Sequence, residues 1–201
     1  MSSATTTTQD NTKQMILDVA QDLLRERGAN GISYTDISDL VKIRKASIHH
    51  HFPTKQSLIK EIMRVHGEEF FEKLVTTTSA KRGIDALSAY LGLFQQSFAE
   101  GKGGFICLFG MLGAEINSLD RSVAAEVRAF FARNLTELAE IIERGVNDNT
   151  IRSFGPPRDL ARVIFSSVEG AMIIARADKG VRSFSPVTTH ILRMVAAVPV
   201  N

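Results

Sequence analysis

Between Lys42 and Lys60 the chain carries five cations, Lys42, Arg44, Lys45, Lys55 and Lys60, and no Asp or Glu. His49, His50, His51 and Phe52 stand among them. Ammonium, guanidinium and imidazole N–H groups donate to phosphate oxygens and to base edges. A short helix that presents them outward is therefore chemically suited to duplex DNA. Lys45 and Lys55 are candidates for phosphate contact, which makes affinity fall as salt rises. Arg44, Lys45 and His49 are candidates for base edges, with Arg44 or Lys45 able to reach guanine. Any one of these side chains also fits a merely solvated basic face, so it is their order that carries the reading. The consecutive histidines do not make a metal site, because neighbouring helical residues point in different directions. Neither a metal nor a cofactor is expected.

The other reactive side chain is Cys107, the only cysteine in 201 residues, which excludes an intramolecular disulfide. It lies in G-K-G-G-F-I-C-L-F-G, near the start of a helix expected over 105–118, where a thiolate is favoured. A buried cysteine acting as a small hydrophobe fits the same stretch. Nucleophilic catalysis needs a base and an orienting group beside the thiol. The remaining histidines, His66 and His190, are distant in sequence, so no catalytic residues are assigned and the chain is not expected to be an enzyme.

These groups need a scaffold, and the apolar spacing makes it all-α. The chain is 44% hydrophobic with a formal net charge of +2, so its basic character is local. A helix is expected from Asn11 or Thr12, with Ile16, Val19, Ala20, Leu23 and Leu24 on one face, ending at Gly28. Ser33 with Asp36 forms a capping-box-like start for a second helix. Lys42 and Ile43 make a turn, and a third helix over 44–50 is anchored by Ile48. Pro53 stops it, and Thr54 caps a long fourth helix through Leu74. Further helices are expected over 84–99, 105–118, 121–145, 157–179 and 185–198, with no sheet. The polar start, residues 1–11, is expected to be a disordered tail rather than a leader or anchor. With the single cysteine, that points to the cytoplasm. No apolar run is long enough to span a bilayer. The expected domains are 12–58, a three-helix helix-turn-helix DNA-binding unit, and 59–201, a larger helical domain for ligand binding and dimerisation.

The stretch I-S-Y-T-D-I-S-D-L-V-K-I-R-K-A-S-I-H-H-H-F-P-T-K resembles the signature of TetR-family transcriptional regulators. The resemblance implies an all-α homodimer that binds a double-stranded operator and represses transcription until a small-molecule effector binds, although activation by the same architecture is the alternative. It implies that Ser33 caps helix two and meets a phosphate. Lys45 and Ser47 match the start of the recognition helix, and Lys55 matches a phosphate-binding lysine at the next helix start. His49 and His51 stand where the family usually has Tyr, and His50 where it usually has His. Lys42 replaces a common turn glycine, which implies a left-handed conformation at a cost on the order of 1 kcal/mol. Ala46 also replaces a common glycine. The family dimerises through its last two helices, here about 157–198, where Leu160, Val163, Ile164, Val168, Ile174, Ile191 and Met194 are apolar. The alternative is that these faces complete the core.

The G-F-I-C-L…A-E element is similar to that of a subgroup of the family, the NemR-type electrophile sensors. There a lysine on the penultimate helix assists the cysteine. The matching position here is Arg176, and Ile106 replaces the glycine before the cysteine. The candidate effector-binding residues are Phe94, Phe98, Cys107, Met111, Glu115, Phe130, Phe131, Met172 and Arg176, with Glu115 or Arg176 as polar anchors.

Overall fold

The computed structural model describes residues 3–101, 105–178 and 181–197. Among them are nine α-helices: α1 (Ser3–Arg27), α2 (Tyr34–Val41), α3 (Lys45–His51), α4 (Lys55–Thr78), α5 (Gly83–Glu100), α6 (Leu108–Ala114), α7 (Arg121–Asn147), α8 (Pro157–Ala177) and α9 (Ser185–Val195). A 3-10 turn, Val181–Ser183, precedes α9. The only β-type pairing among the described residues is an isolated bridge between Ile151 and Ala196.

The expected helix boundaries shift most at the first and sixth helices. The expected tail at 1–11 is helical from Ser3, while residues 1 and 2 lie outside the described residues. S-A-T-T-T-T-Q-D-N contains neither Gly nor Pro, so nothing stops α1 from extending backwards from its apolar stripe. The helix expected over 105–118 is confined to Leu108–Ala114. Beyond it, tight i→i+3 bonds take over, from Glu115 N to Leu112 O and from Ser118 N to Glu115 O. Cys107 therefore precedes a helix rather than sitting within its first turn.

The chain forms two compact units. Unit 1 comprises Met1–Gly67 and Leu108–Arg128; unit 2 comprises Glu68–Cys107 and Ala129–Asn201. Helix α6 packs on α1 and so joins the N-terminal unit despite its position in sequence.

Unit 1 closes around Ile16, Leu24, Ile37, Ile48, Leu58 and Ile62, all essentially without solvent exposure. Ser33 Oγ accepts from the Asp36 amide at 3.3 Å while Asp36 Oδ2 accepts from the Ser33 amide at 2.7 Å, completing the capping box. Thr54 and Ser57 repeat this reciprocal pattern at the start of α4. The α2–α3 turn is made by Lys42 at φ 62°, ψ 38°, in the left-handed region. Its amide donates to Ser38 O at 2.9 Å, and Ser38 Oγ donates to Ile43 O at 2.9 Å. An L side chain pays about 1–2 kcal/mol there, partly offset by what glycine loses in chain entropy. Lys42→Gly is therefore expected to raise the unfolding free energy by ~0.5–1 kcal/mol in a urea titration.

Unit 2 is organised by phenylalanines. Phe70 and Phe71 of α4, Phe94 of α5, Phe130 and Phe131 of α7 and Phe165 of α8 form a chain of rings with centroids 5.2–6.2 Å apart. Arg144 Nη1 donates to the carbonyl oxygen of Thr78, the last residue of α4, at 2.8 Å, and to Lys81 O at 3.2 Å in the loop that follows. The start of α5 is held in the same way, as Asp148 Oδ2 accepts from the Gly83 amide at 2.8 Å. Gly83 and Gly145 cross so closely that a Cβ on Gly83 would lie 1.9 Å from Gly145 Cα.

Candidate nucleic-acid interface and effector site

Helix α3 is only seven residues long and holds to unit 1 through one side chain, Ile48, which is fully buried. Its other residues are then turned outward by the helical period. Arg44, Lys45, Ala46, His49 and His50 are exposed, while Ser47 and His51 are half-buried. Arg44 is the N-cap in extended conformation and makes no side-chain cap bond, so its guanidinium is not spent on the helix. Lys45 and His49 lie one turn apart on one face. The Tyr34 ring meets His49 edge-on at 4.7 Å, and the Tyr34 hydroxyl donates to Phe52 O at 2.7 Å. Tyr34 thus fixes both the end of α3 and a candidate reading side chain. Sequence reasoning did not single it out, although an aromatic directly after a helix cap was the available signal.

Ser33 and Lys55 come together at the edge of this surface. Lys55 Nζ donates to Ile32 O at 2.8 Å, next to the Ser33 cap. One ammonium proton is thus used to tie the start of α4 to the loop before α2, and an ammonium has three. The Ser33 hydroxyl also donates to Asp36 Oδ2 at 2.5 Å. That hydroxyl, and then the Ser33 amide, hold the Asp36 carboxyl below its ordinary range. Partial burial, then the charges of His50 and Lys13, push the His51 imidazole down, which favours its neutral form.

The candidate effector residues are divided between the two units. Met111 and Glu115 belong to unit 1. Glu115 Oε2 accepts from the Ala29 amide at 2.6 Å, and Oε1 accepts from the Asn30 side-chain amide at 3.1 Å. Its carboxylate is engaged with the loop after α1. Gly28, which ends α1 at φ 75°, makes this contact possible, because a Cβ there would lie 2.7 Å from Glu115 Oε1. Gly28→Ala combines left-handed strain with displacement of charged hydrogen bonds. It is expected to lower stability by about 2–3 kcal/mol in chemical denaturation.

In unit 2, Phe94, Phe130 and Met172 are buried and Phe131 is half-buried. Phe98 packs away from the Phe70–Phe165 series, against Phe184 at 5.4 Å. Tyr90 is fully buried and exchanges hydrogen bonds with Asn134, whose Nδ2 donates to the phenol oxygen at 3.0 Å; burial pushes the Tyr90 phenol well up. Cys107 is half-buried. Its thiol bonds the Glu169 carboxyl, a partner the sequence did not suggest. Burial raises that carboxyl to about 7, opposed only by the thiol. Arg176 is half-buried near the end of α8.

Residues 16–62 match the family model described as bacterial regulatory proteins, tetR family, and residues 83–191 match that of the tetracyclin repressor-like C-terminal domain. The chain belongs to the TetR family. A TetR-family transcriptional regulator from Agrobacterium tumefaciens superimposes with a TM-score of 0.88 at 30% identity, covering 94% of this chain and 99% of that one. The transcriptional repressor KstR2 of Rhodococcus jostii is 29% identical over 69% of this chain and 67% of its own length. The repressor NemR of Escherichia coli is 20% identical over 94% of this chain and 96% of its own. Like other members of the family, this chain has a helix-turn-helix unit followed by a helical C-terminal domain. Among its described residues no helix is long and apolar enough to cross a membrane.

Proposed function

We propose that this TetR-family chain is a homodimeric repressor that reads a double-stranded operator with α3 and releases it when a small molecule occupies unit 2. The observation that carries the reading is the exposed row Arg44, Lys45 and His49 on a helix anchored by the buried Ile48. Ser33, Ser47, His50 and Lys55 flank it as backbone-positioning contacts. That its relatives KstR2 and NemR are repressors supports the sign of regulation and a non-enzymatic role.

Dimerisation through α8 and α9 is supported by apolar side chains left in solvent. Val163, Ile173 and Ile174 of α8 are 62%, 56% and 63% exposed, and Met194 of α9 is 69% exposed. Val163, Ser167, Gly170 and Ile174 recur at helical spacing, so they form one stripe with small residues at its centre. A two-fold interface there pairs two recognition helices for half-sites one DNA turn apart, or a multiple of it. Val198, at the end of the expected dimer segment, lies outside the described residues. Helix α4 runs through both units and Cys107 leads directly into α6, so the backbone itself links effector domain to reader. Release requires an effector that prefers one of two conformations by a few kcal/mol.

The test is a gel shift on the DNA flanking the chain's own gene. Sequence-preferential binding, lost on adding the effector, is the expected result; equal affinity for scrambled DNA under every effector condition contradicts the reading. Alkylation of Cys107 that leaves operator affinity unchanged removes the electrophile route while leaving small-molecule release intact.

A further inference from the structure

Among the described residues, the buried polar side chains of unit 2 are matched, with one exception. Thr78 Oγ1 donates to Leu74 O, Asn134 pairs with Tyr90, and Thr188 donates to Ser185 O while accepting from Gln95. The exception is Glu169 on α8. Its Oε1 is sealed from solvent and meets no donor among the described residues. An unmet buried acceptor costs roughly 1–3 kcal/mol, and more if it is charged. The carboxyl is hydrogen-bonded by the Cys107 thiol, a weak donor that brings no positive charge.

The surroundings of this carboxyl are specific. The phenol of Tyr90 on α5 feels the charge of both Glu169 and Cys107. The Tyr90 ring lies 5.2 Å from Phe94, and Phe94 lies 6.1 Å from Phe165. Phe165 is on α8 one turn before Glu169, and the buried Met172 is nearly one turn after it. A buried acidic oxygen on a helix that contributes to this ring series lacks one thing, a cation. Ring faces attract cations through their quadrupole, and more strongly when water is excluded. A neutral donor would meet the hydrogen-bonding need of Oε1 but would not offset the carboxylate charge.

We infer that the effector is an organic ammonium compound whose cationic group is held by Glu169 among the rings of Tyr90, Phe94 and Phe165. This rests on the reading of unit 2 as the effector domain and narrows it to a ligand class. The small aromatic ammoniums benzyltrimethylammonium and 2-phenylethylammonium test it, with 2-phenylethanol as the neutral counterpart of the second. In a thermal-shift titration at millimolar concentration, the wild-type chain is expected to be stabilised by both ammoniums, which bind about tenfold more tightly than the alcohol. In Glu169→Gln, which keeps shape and polarity but cannot ionise, that preference disappears. Equal shifts by 2-phenylethylammonium and 2-phenylethanol in wild type overturn the inference. So does an ammonium preference that survives Glu169→Gln, or the absence of any shift with either ammonium. The wild-type arm decides even if the variant is poorly folded. The readout needs no DNA, so a chain that binds no operator yet prefers ammoniums refutes the repressor reading alone. A chain that binds its operator and ignores ammoniums refutes only this inference.

Discussion

Replacing Arg44 and Lys45 together with alanine is expected to lower operator affinity about 100-fold at physiological salt, with thermal stability essentially unchanged. Both side chains are exposed, and Arg44 makes no side-chain cap bond, so their removal leaves the Ile48 anchor and the core untouched. A good bidentate base contact contributes ~1–3 kcal/mol of discrimination. Each lost phosphate contact lowers the slope of log affinity against log salt by about one. The two roles are separable by single variants in fluorescence anisotropy. The residue that reads a base relaxes specificity at one operator position. The residue that holds a phosphate weakens all sequences alike and flattens the salt dependence. If the double variant binds its operator as tightly as wild type, α3 is not the reading helix.

The second large effect is expected on α8. Val163→Asp with Ile174→Asp places two carboxylates on the stripe proposed to meet a second copy. Both positions are more than half exposed in the single chain, so neither substitution disturbs its own core. Sedimentation is expected to change from dimer to monomer. Operator affinity then falls roughly 1000-fold, because a second half-site bound by a linked reader acts at high effective concentration and that benefit is lost. A variant that stays dimeric places the interface elsewhere. A monomer with undiminished operator affinity would show that the two half-sites are not bound together.

The reader was legible because its devices are local. A capping box acts across three residues, a left-handed turn within one, and the Ile48 anchor within one helix. Ser33, Lys42 and Ile48 therefore announce themselves in sequence, and the Lys42 backbone adopts the conformation its position implied. The helix count was legible for the same reason, since apolar spacing and Gly or Pro separators are read within a turn or two. Helix ends were less so: α1 runs back to Ser3 because a Thr-rich run holds no breaker, and α6 stops early because tight turns replace it.

What only the tertiary structure decided depends on partners far apart in the chain. Glu115 serves the loop at Ala29 and Asn30, 86 and 85 residues away, so a carboxylate expected beside an effector belongs to the reader's unit. Lys55 reaches back to Ile32 O, which commits part of an ammonium expected to be free for phosphate. The division of the chain follows the packing of α6 on α1, which no composition shift at residue 108 foretells. Glu169 stands in an amphipathic helix where a glutamate ordinarily faces water. Only the packing of Cys107 and Tyr90 around α8 shows that its carboxyl oxygen is buried. By itself the sequence determined the family's reader and its helices, because those are set by neighbours within a few residues. The chemistry of the effector domain was decided by which distant side chains share a dry interior, and helical periodicity carries no information about that.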